Sequence, residues 1–168
     1  MANDVHEGSV AIEYVSGDAT APLGSGPRIL VHVCNDVGKW GKGFVLAISR
    51  RWRTPELQFK AWYRGELESE QPFALGSVQL VEVEPALWVA NLGGQRGVMS
   101  RDAREPAIRY DAVRSGLASV GEHAIRQAAS VHMPRIGCGL AGGRWEDIEP
   151  IVERELASRG ARITVYDF

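Results

Sequence analysis

Two glycine-rich stretches carry residue types and spacings suited to chemistry on a phosphate. One runs Gly137-Cys138-Gly139-Leu140-Ala141-Gly142-Gly143, directly after the apolar run Met133-Pro134-Arg135-Ile136 and just ahead of a helical pattern. A glycine turn between a buried strand and a helix lets main-chain N–H groups point outward at an anion. Glycine has no Cβ to block close approach, and positive φ costs it little. The following helix N-terminus adds a favourable partial charge, worth ~0.3–1 kcal/mol when exposed. The other stretch is Asn35-Asp36-Val37-Gly38-Lys39-Trp40-Gly41-Lys42-Gly43, again between an apolar run and a helical pattern. It is not a Walker A loop, because neither Gly-Lys pair is followed by Ser or Thr. Two such loops imply a cleft at the carboxyl ends of strands that grips an extended ligand from two sides.

Gly137, Gly139 and Gly142 spell the dinucleotide pattern G-x-G-x-x-G. The Rossmann reading fails because that fold opens with its fingerprint and needs several strand–helix units after it. Here the remaining chain suffices for one helix and one strand. Asp18, in Gly17-Asp18-Ala19 at a strand end, can accept from an exocyclic amine or serve as a turn aspartate. Asn35 and Asp36 can hold sugar hydroxyls or simply shape a turn. The basic run Arg50-Arg51-Trp52-Arg53, with Lys60 and Arg64, is either a solvated helix face or a contact for nucleic-acid phosphates. The four histidines (His6, His32, His123, His132) show no metal-ligand spacing, and no metal or cofactor is called for.

Hydrophobic period and breakers place these residues on elements. Strands are expected over 10–15, 29–34, 77–83, 87–92, 131–136 and 163–166. A Pro/Gly/Ser-rich loop fills 19–27, and a long charged loop 93–106. A helix is expected over 44–52. A second should open with Thr54 as N-cap and Pro55 in the first helical position, running to about Arg64. Val113, Leu117, Val120 and Ala124 form the buried stripe of a long helix over 107–129. Trp145, Ile148, Ile151, Val152 and Leu156 mark the inner face of a last one. The alternation in the second half argues for a sheet covered by helices on both faces.

The bulk numbers agree with one α/β domain over 1–168, its core about 10–168. The chain has 168 residues, 45% of them hydrophobic and 24% charged. Lys+Arg 19 against Asp+Glu 21 gives −2, so no overall charge draws it to nucleic acid or an anionic membrane. No apolar run approaches the ~20 residues that span a bilayer. The N-terminus lacks a signal-peptide layout. Cys34 and Cys138 are too few for a disulfide scaffold and read as buried free thiols. A cytoplasmic location without membrane partners is the expectation.

Gly17-Asp18 after the first strand, Asn35 with Gly41-Lys42-Gly43, and PRIGCGLAGGRWEDIEPIVEREL followed by ITVYDF resemble the macrodomain family. The resemblance is to the branch containing the terminal ADP-ribose protein glycohydrolase and related ADP-ribose readers, and it extends from about Val10 to Phe168. It implies a three-layer macrodomain-like mixed sheet flanked by helices on both faces. It further implies that Asp18 binds the adenine amine beside the Ala19 N–H. Gly41, Lys42, Gly43, Phe44 and Val45 would wrap the distal ribose and diphosphate. Ile136, Gly137, Cys138, Gly139, Leu140 and Ala141 would form the second diphosphate loop, and Asn35 would approach the distal ribose.

Two positions depart from that branch. Its catalytic lysine is replaced by Gly93 or Gly94, and the aspartate after Gly-Cys-Gly-Leu is Ala141. The lysine–aspartate mechanism is therefore not available. Asn35, Asp36, Gln95 and Arg96 are the remaining catalytic candidates, positioning a water or fixing the distal ribose. The expectation is a hydrolase that removes mono-ADP-ribose from acidic side chains of ADP-ribosylated proteins without a lysine intermediate. The alternatives are a non-catalytic ADP-ribose reader and an enzyme acting on ADP-ribosylated DNA.

Overall fold

The structure, a computed structural model, describes residues 10–68, 70–98 and 105–168. Along β2 (Arg28–Asn35) the side chains alternate between two separate cores: Ile29 and Val31 join one, Leu30 and Cys34 the other. In β4 (Leu87–Gln95), Ala90 and Leu92 face the first core and Val89 the second. Strands buried on both faces read as unbroken apolar runs, since either side of the pleat meets a hydrophobic layer.

The sheet has six strands: β1 (Glu13–Ser16), β2, β3 (Val78–Glu84), β4, β5 (Ser130–Pro134) and β6 (Ile163–Asp167). Their spatial order is β1-β6-β5-β2-β4-β3. Every neighbouring pair is parallel except β3–β4, so the sheet is mixed. Helices α1 (Phe44–Arg51) and α2 (Thr54–Tyr63) bring Ile48, Phe59 and Trp62 to one core. Helices α3 (Tyr110–Gln127) and α4 (Trp145–Glu155) cover the opposite face with the Val113, Leu117, Val120 and Ala124 stripe and with Ile148, Ile151 and Val152. The expected three-layer α/β architecture is the one observed. No described helix is long and apolar enough to cross a membrane.

Several boundaries move for identifiable reasons. Val10 lies outside β1, its N–H donating to the Ala157 carbonyl at 3.2 Å. Thr54 is the first helical residue of α2 rather than its N-cap; Arg53 holds the cap position without a side-chain bond. The long helix starts at Tyr110, not Ala107, because 107–109 are bonded across to the end of β4. The Arg96 N–H reaches the Ala107 carbonyl at 2.8 Å, and the Arg109 N–H reaches Gly94 at 2.8 Å. That pairing prolongs β4 to Gln95, so Gly93 and Gly94 are strand residues and not loop. β5 stops at Pro134, leaving Ile136 in the turn beyond it. Residues 99–104 of the expected long loop lie outside the described residues, as do residues 1–9 with His6.

A buried polar chain pins α2 to the sheet. His32 Nε2 bonds Asn91 Oδ1, Asn91 Nδ2 donates to Gln79 Oε1 at 3.0 Å, and Gln79 Nε2 donates to Glu70 at 3.1 Å. Asn91 also donates to the Pro55 carbonyl at 3.1 Å. His132 sits between Ser130 Oγ at 2.8 Å and the Tyr166 hydroxyl at 2.6 Å. Both histidines read as strand residues are thus buried in the sheet. Both cysteines are free; Cys34 is buried and Cys138 half-buried.

Candidate functional site

Because β1, β6, β5, β2 and β4 run in one direction, their carboxyl ends share one edge of the sheet. Along that edge stand Asp18 after β1, Asp167 ending β6, the 136–143 loop after β5, the 36–43 loop after β2, and Gln95 ending β4. Neighbouring strands lie ~4.8 Å apart, so this row is roughly 19 Å long. Carboxyl ends of parallel strands are where open α/β sheets take their ligands.

The first loop is shaped from within by Asn35. Its Oδ1 accepts the Val37 N–H at 3.0 Å and the Lys39 N–H at 3.2 Å, while its Nδ2 donates to the Lys39 carbonyl at 2.6 Å. The Oδ1 and one Nδ2 proton are thus engaged within the loop, which gives Asn35 a loop-shaping role. Trp40 anchors the far side, its Nε1 donating to the Val45 carbonyl at 3.1 Å and to Ser49 Oγ at 2.8 Å. Gly41 and Gly43 take φ of +86°, which side-chain-bearing residues rarely adopt. The amides of Gly41, Lys42 and Gly43 have no acceptor among the described residues, and α1 opens without a side-chain cap or an acidic residue in its first turn. Phe44 and Val45 therefore present helix-terminal N–H groups beside them.

The second loop is closed on itself. The Gly143 N–H donates to the Gly137 carbonyl at 2.7 Å, the Gly142 N–H to Gly139 at 3.1 Å, and Cys138 Sγ to the Ile136 carbonyl at 3.4 Å. The Ala141 carbonyl accepts the Ile108 N–H at 3.1 Å, tying the loop to the 107–109 segment. The amides of Gly139, Leu140 and Ala141 are left without an acceptor among the described residues, three in succession as an anion requires. A Cβ at Gly139 would meet nothing within 4 Å. A Cβ at Gly43 would lie 3.7 Å from Leu140 Cδ1, so the two glycine loops approach each other.

Asp18 is an exposed side chain on a turn whose next residues, Ala19 and Thr20, are both 2% exposed. The Thr20 hydroxyl and N–H donate to Asp18 Oδ1 at 2.7 and 2.9 Å, leaving Oδ2 for another donor. These bonds, with smaller help from Arg51 and Arg50, hold the carboxyl below its ordinary range. Thr20 was not singled out from sequence, although the Asp-x-Thr spacing is a local signal for such a turn.

At the β2–β4 end, the structure brings Asp36 and Gln95 to one residue. Asp36 Oδ1 accepts the Gly97 N–H at 2.7 Å, and Gln95 Nε2 donates to the Gly97 carbonyl at 2.8 Å. Arg96 is exposed beside them. Gly97 carried no signal in the sequence. The departures are also structural: a Cβ at Gly93 would lie 3.0 Å from Phe73 Cζ, and one at Gly94 3.0 Å from Leu92 Cδ2. Ala141 is 6% exposed. A separate hollow of about 1100 Å³ at the amino ends of β5 and β6, lined by Ser130, His132 and Thr164, contains none of these site residues.

Comparison with known proteins places this arrangement. A macrodomain protein from Streptomyces coelicolor is 49% identical, with a TM-score of 0.82, over 94% of this chain and 99% of that one. The chain belongs to the macrodomain family. A solved protein of unknown function from Bacteroides thetaiotaomicron is 52% identical with a TM-score of 0.88, covering 94% of this macrodomain and 98% of that chain. Among curated proteins, mouse chromodomain-helicase-DNA-binding protein 1-like is 31% identical over 173 residues, 95% of this macrodomain and 18% of that protein. The macrodomain thus spans less than a fifth of that relative's length. Bovine ADP-ribose glycohydrolase OARD1 is 36% identical over 58 residues, 34% of this chain and 38% of that protein. No family model matches the chain.

Proposed function

We propose that this macrodomain binds ADP-ribose along the row of strand ends and hydrolyses the bond joining it to acidic side chains of modified proteins. The carrying observation is the approach of the two glycine loops at Gly43 and Leu140, each with three successive unbonded amides. Such a pair can surround a diphosphate. Asp18 lies two strands away from the 136–143 loop, across β6, where its free oxygen can accept the adenine amine. The partial similarity to a protein named ADP-ribose glycohydrolase supports the same ligand.

With adenine at Asp18 and the Ala19 N–H, the diphosphate falls between Ile136, Gly137, Cys138, Gly139, Leu140 and Ala141 on one side and Gly41, Lys42, Gly43, Phe44 and Val45 on the other. The distal ribose then reaches the ends of β2 and β4. There Asp36 Oδ2 orients a water and takes its proton, while Gln95 Oε1 and the Arg96 guanidinium fix the sugar or the modified carboxyl. Water adds to the anomeric carbon as the bond to the side-chain carboxylate breaks. The products are ADP-ribose and the free acid. Orientation is a sufficient source of rate here because an acyl-linked sugar has a good leaving group. Asn35 serves the reaction by holding the loop that carries Asp36.

A non-catalytic reader is the competing reading, and crowded Gly93 with buried Ala141 favours it, since neither the lysine nor the aspartate of the related hydrolases is present. A third reading places ADP-ribosylated DNA in the site; exposed Arg50, Arg51 and Arg53, in no ion pair among the described residues, would then give salt-sensitive binding. A release assay on glutamate-, serine- and DNA-linked ADP-ribose separates the three. Free ADP-ribose from the glutamate-linked substrate supports the hydrolase. Tight binding without release from any linkage overturns it in favour of the reader.

A further inference from the structure

Arg135 is the first residue beyond β5 and lies opposite the end of β6. Its Nε and Nη2 grip the two carboxylate oxygens of Asp167 at 2.6 and 3.1 Å, a paired contact of planar fork to planar acid. Its guanidinium carbon is also 5.3 Å from the Tyr14 ring centroid and 5.5 Å from that of Trp145. The two rings are themselves edge to face at 6.3 Å, with Trp145 Nε1 donating to the Tyr14 hydroxyl at 3.0 Å. One side chain therefore meets β1, β6 and the start of α4 while standing at the start of the second glycine loop.

These partners frame both halves of the cleft. Trp145 opens α4, directly after the 136–143 loop, so Arg135 and Trp145 hold that loop at its two ends. Asp167 holds the other half through its backbone: its carbonyl accepts the Gly17 N–H at 2.8 Å, immediately before Asp18. An exposed ion pair of this kind does little for stability alone. Its geometry is instead that of a spacer between two binding segments.

We propose that Arg135 is a positioning residue that fixes the separation between the Asp18 turn and the 136–143 loop, so that a single ligand meets both. This inference rests on the ADP-ribose reading above. Arg135 acts through Asp167 and the two rings.

The test uses the full chain with Arg135→Ala, Asp167→Ala, both together, and Arg135→Lys. Three readouts are taken: amide hydrogen exchange without ligand, thermal melting, and ADP-ribose titration. The amides of Gly17, Thr20 and Gly143 are hydrogen-bonded here and should exchange about tenfold faster in each single variant, while Val31 and Val89 of the sheet stay as protected as before. ADP-ribose affinity should fall about tenfold, the double variant being no weaker than the worse single one. Lysine should recover only part, because an ammonium cannot make the paired contact. Unchanged exchange at those three amides overturns the proposal, as does equal acceleration throughout the sheet. If the unaltered protein does not bind ADP-ribose, the ligand reading fails, whereas the linked exchange of Gly17 and Gly143 still reports whether Arg135 couples the two segments.

Discussion

Asp36 and Gly97 join two loops that are far apart in sequence: Asp36 Oδ1 accepts the Gly97 N–H at 2.7 Å, while Gln95 holds the Gly97 carbonyl from the other side. One Asp36 oxygen is held by this contact, and on the proposed reading the other orients the attacking water. Asp36→Asn keeps the acceptor and removes the proposed base. Release of ADP-ribose from a glutamate-modified protein should drop about 100-fold or more, with affinity for free ADP-ribose changed less than about threefold. Equal release by the variant and the parent would remove Asp36 from the reaction.

Gly139 and Gly137 should separate binding from folding. Gly139→Ala adds a methyl where nothing stands within 4 Å, and its φ lies outside the left-handed region. Stability should stay within about 0.5 kcal/mol, while calorimetry should show ADP-ribose affinity reduced about tenfold as the methyl enters ligand space. Gly137 has φ +71°, and its Cβ would lie 2.5 Å from Ile108 Cδ1. Gly137→Ala should cost about 2 kcal/mol or more in urea denaturation. The opposite ranking of the two variants in stability would contradict this placement of the loop.

Restoring the lysine should not restore its chemistry. At Gly93 a side chain meets Phe73 Cζ at 3.0 Å and the Ala74 carbonyl oxygen at 3.2 Å. Gly93→Lys should lose about 1–3 kcal/mol from overpacking. Mass spectrometry should detect no covalent ADP-ribosyl adduct. An adduct, or faster release, would show that the lysine is missing only by residue choice.

Acid should destabilise the protein through two histidines. Burial pushes His32 and His132 down to about 4, each from an ordinary value near 6.5. The unfolded chain therefore binds protons near pH 6.5 that the native protein binds only near 4. Stability is complete above about pH 6.5 and declines as pH falls toward 4, by on the order of 2 kcal/mol per histidine at pH 5. Urea midpoints at pH 7.5 and 5 check this; coincident midpoints would mean that neither ring pays for its burial on protonation.

The glycine loops were legible in sequence because their signal is local: a glycine run between an apolar strand and a helix says where amides will be exposed. Asp18 stands out for the same reason, two residues beyond the end of β1. The convergence on Gly97 was not, since Asp36 and Gln95 meet only once β2 has paired with β4 in a register that places Asn35 beside Gln95. Nor did the sequence reveal that Asn35 would spend its amide inside its own loop; an asparagine after a strand serves sugar binding and turn shaping equally well. Strand order was equally hidden. β6 is the last strand in the chain yet lies between β1 and β5, and that placement brings Asp167 under the Arg135 guanidinium.

Each segment of the site follows or ends its own parallel strand, and the row runs from Asp18 after β1 to Gln95 at the end of β4. On the proposed reading, grip and cleavage are consequently separable. Exchanges after β4 would then retarget or abolish the chemistry while leaving in place the segments after β1, β5 and β2 that hold the nucleotide. On this reading a reader and a hydrolase would share the row and differ at its β4 end.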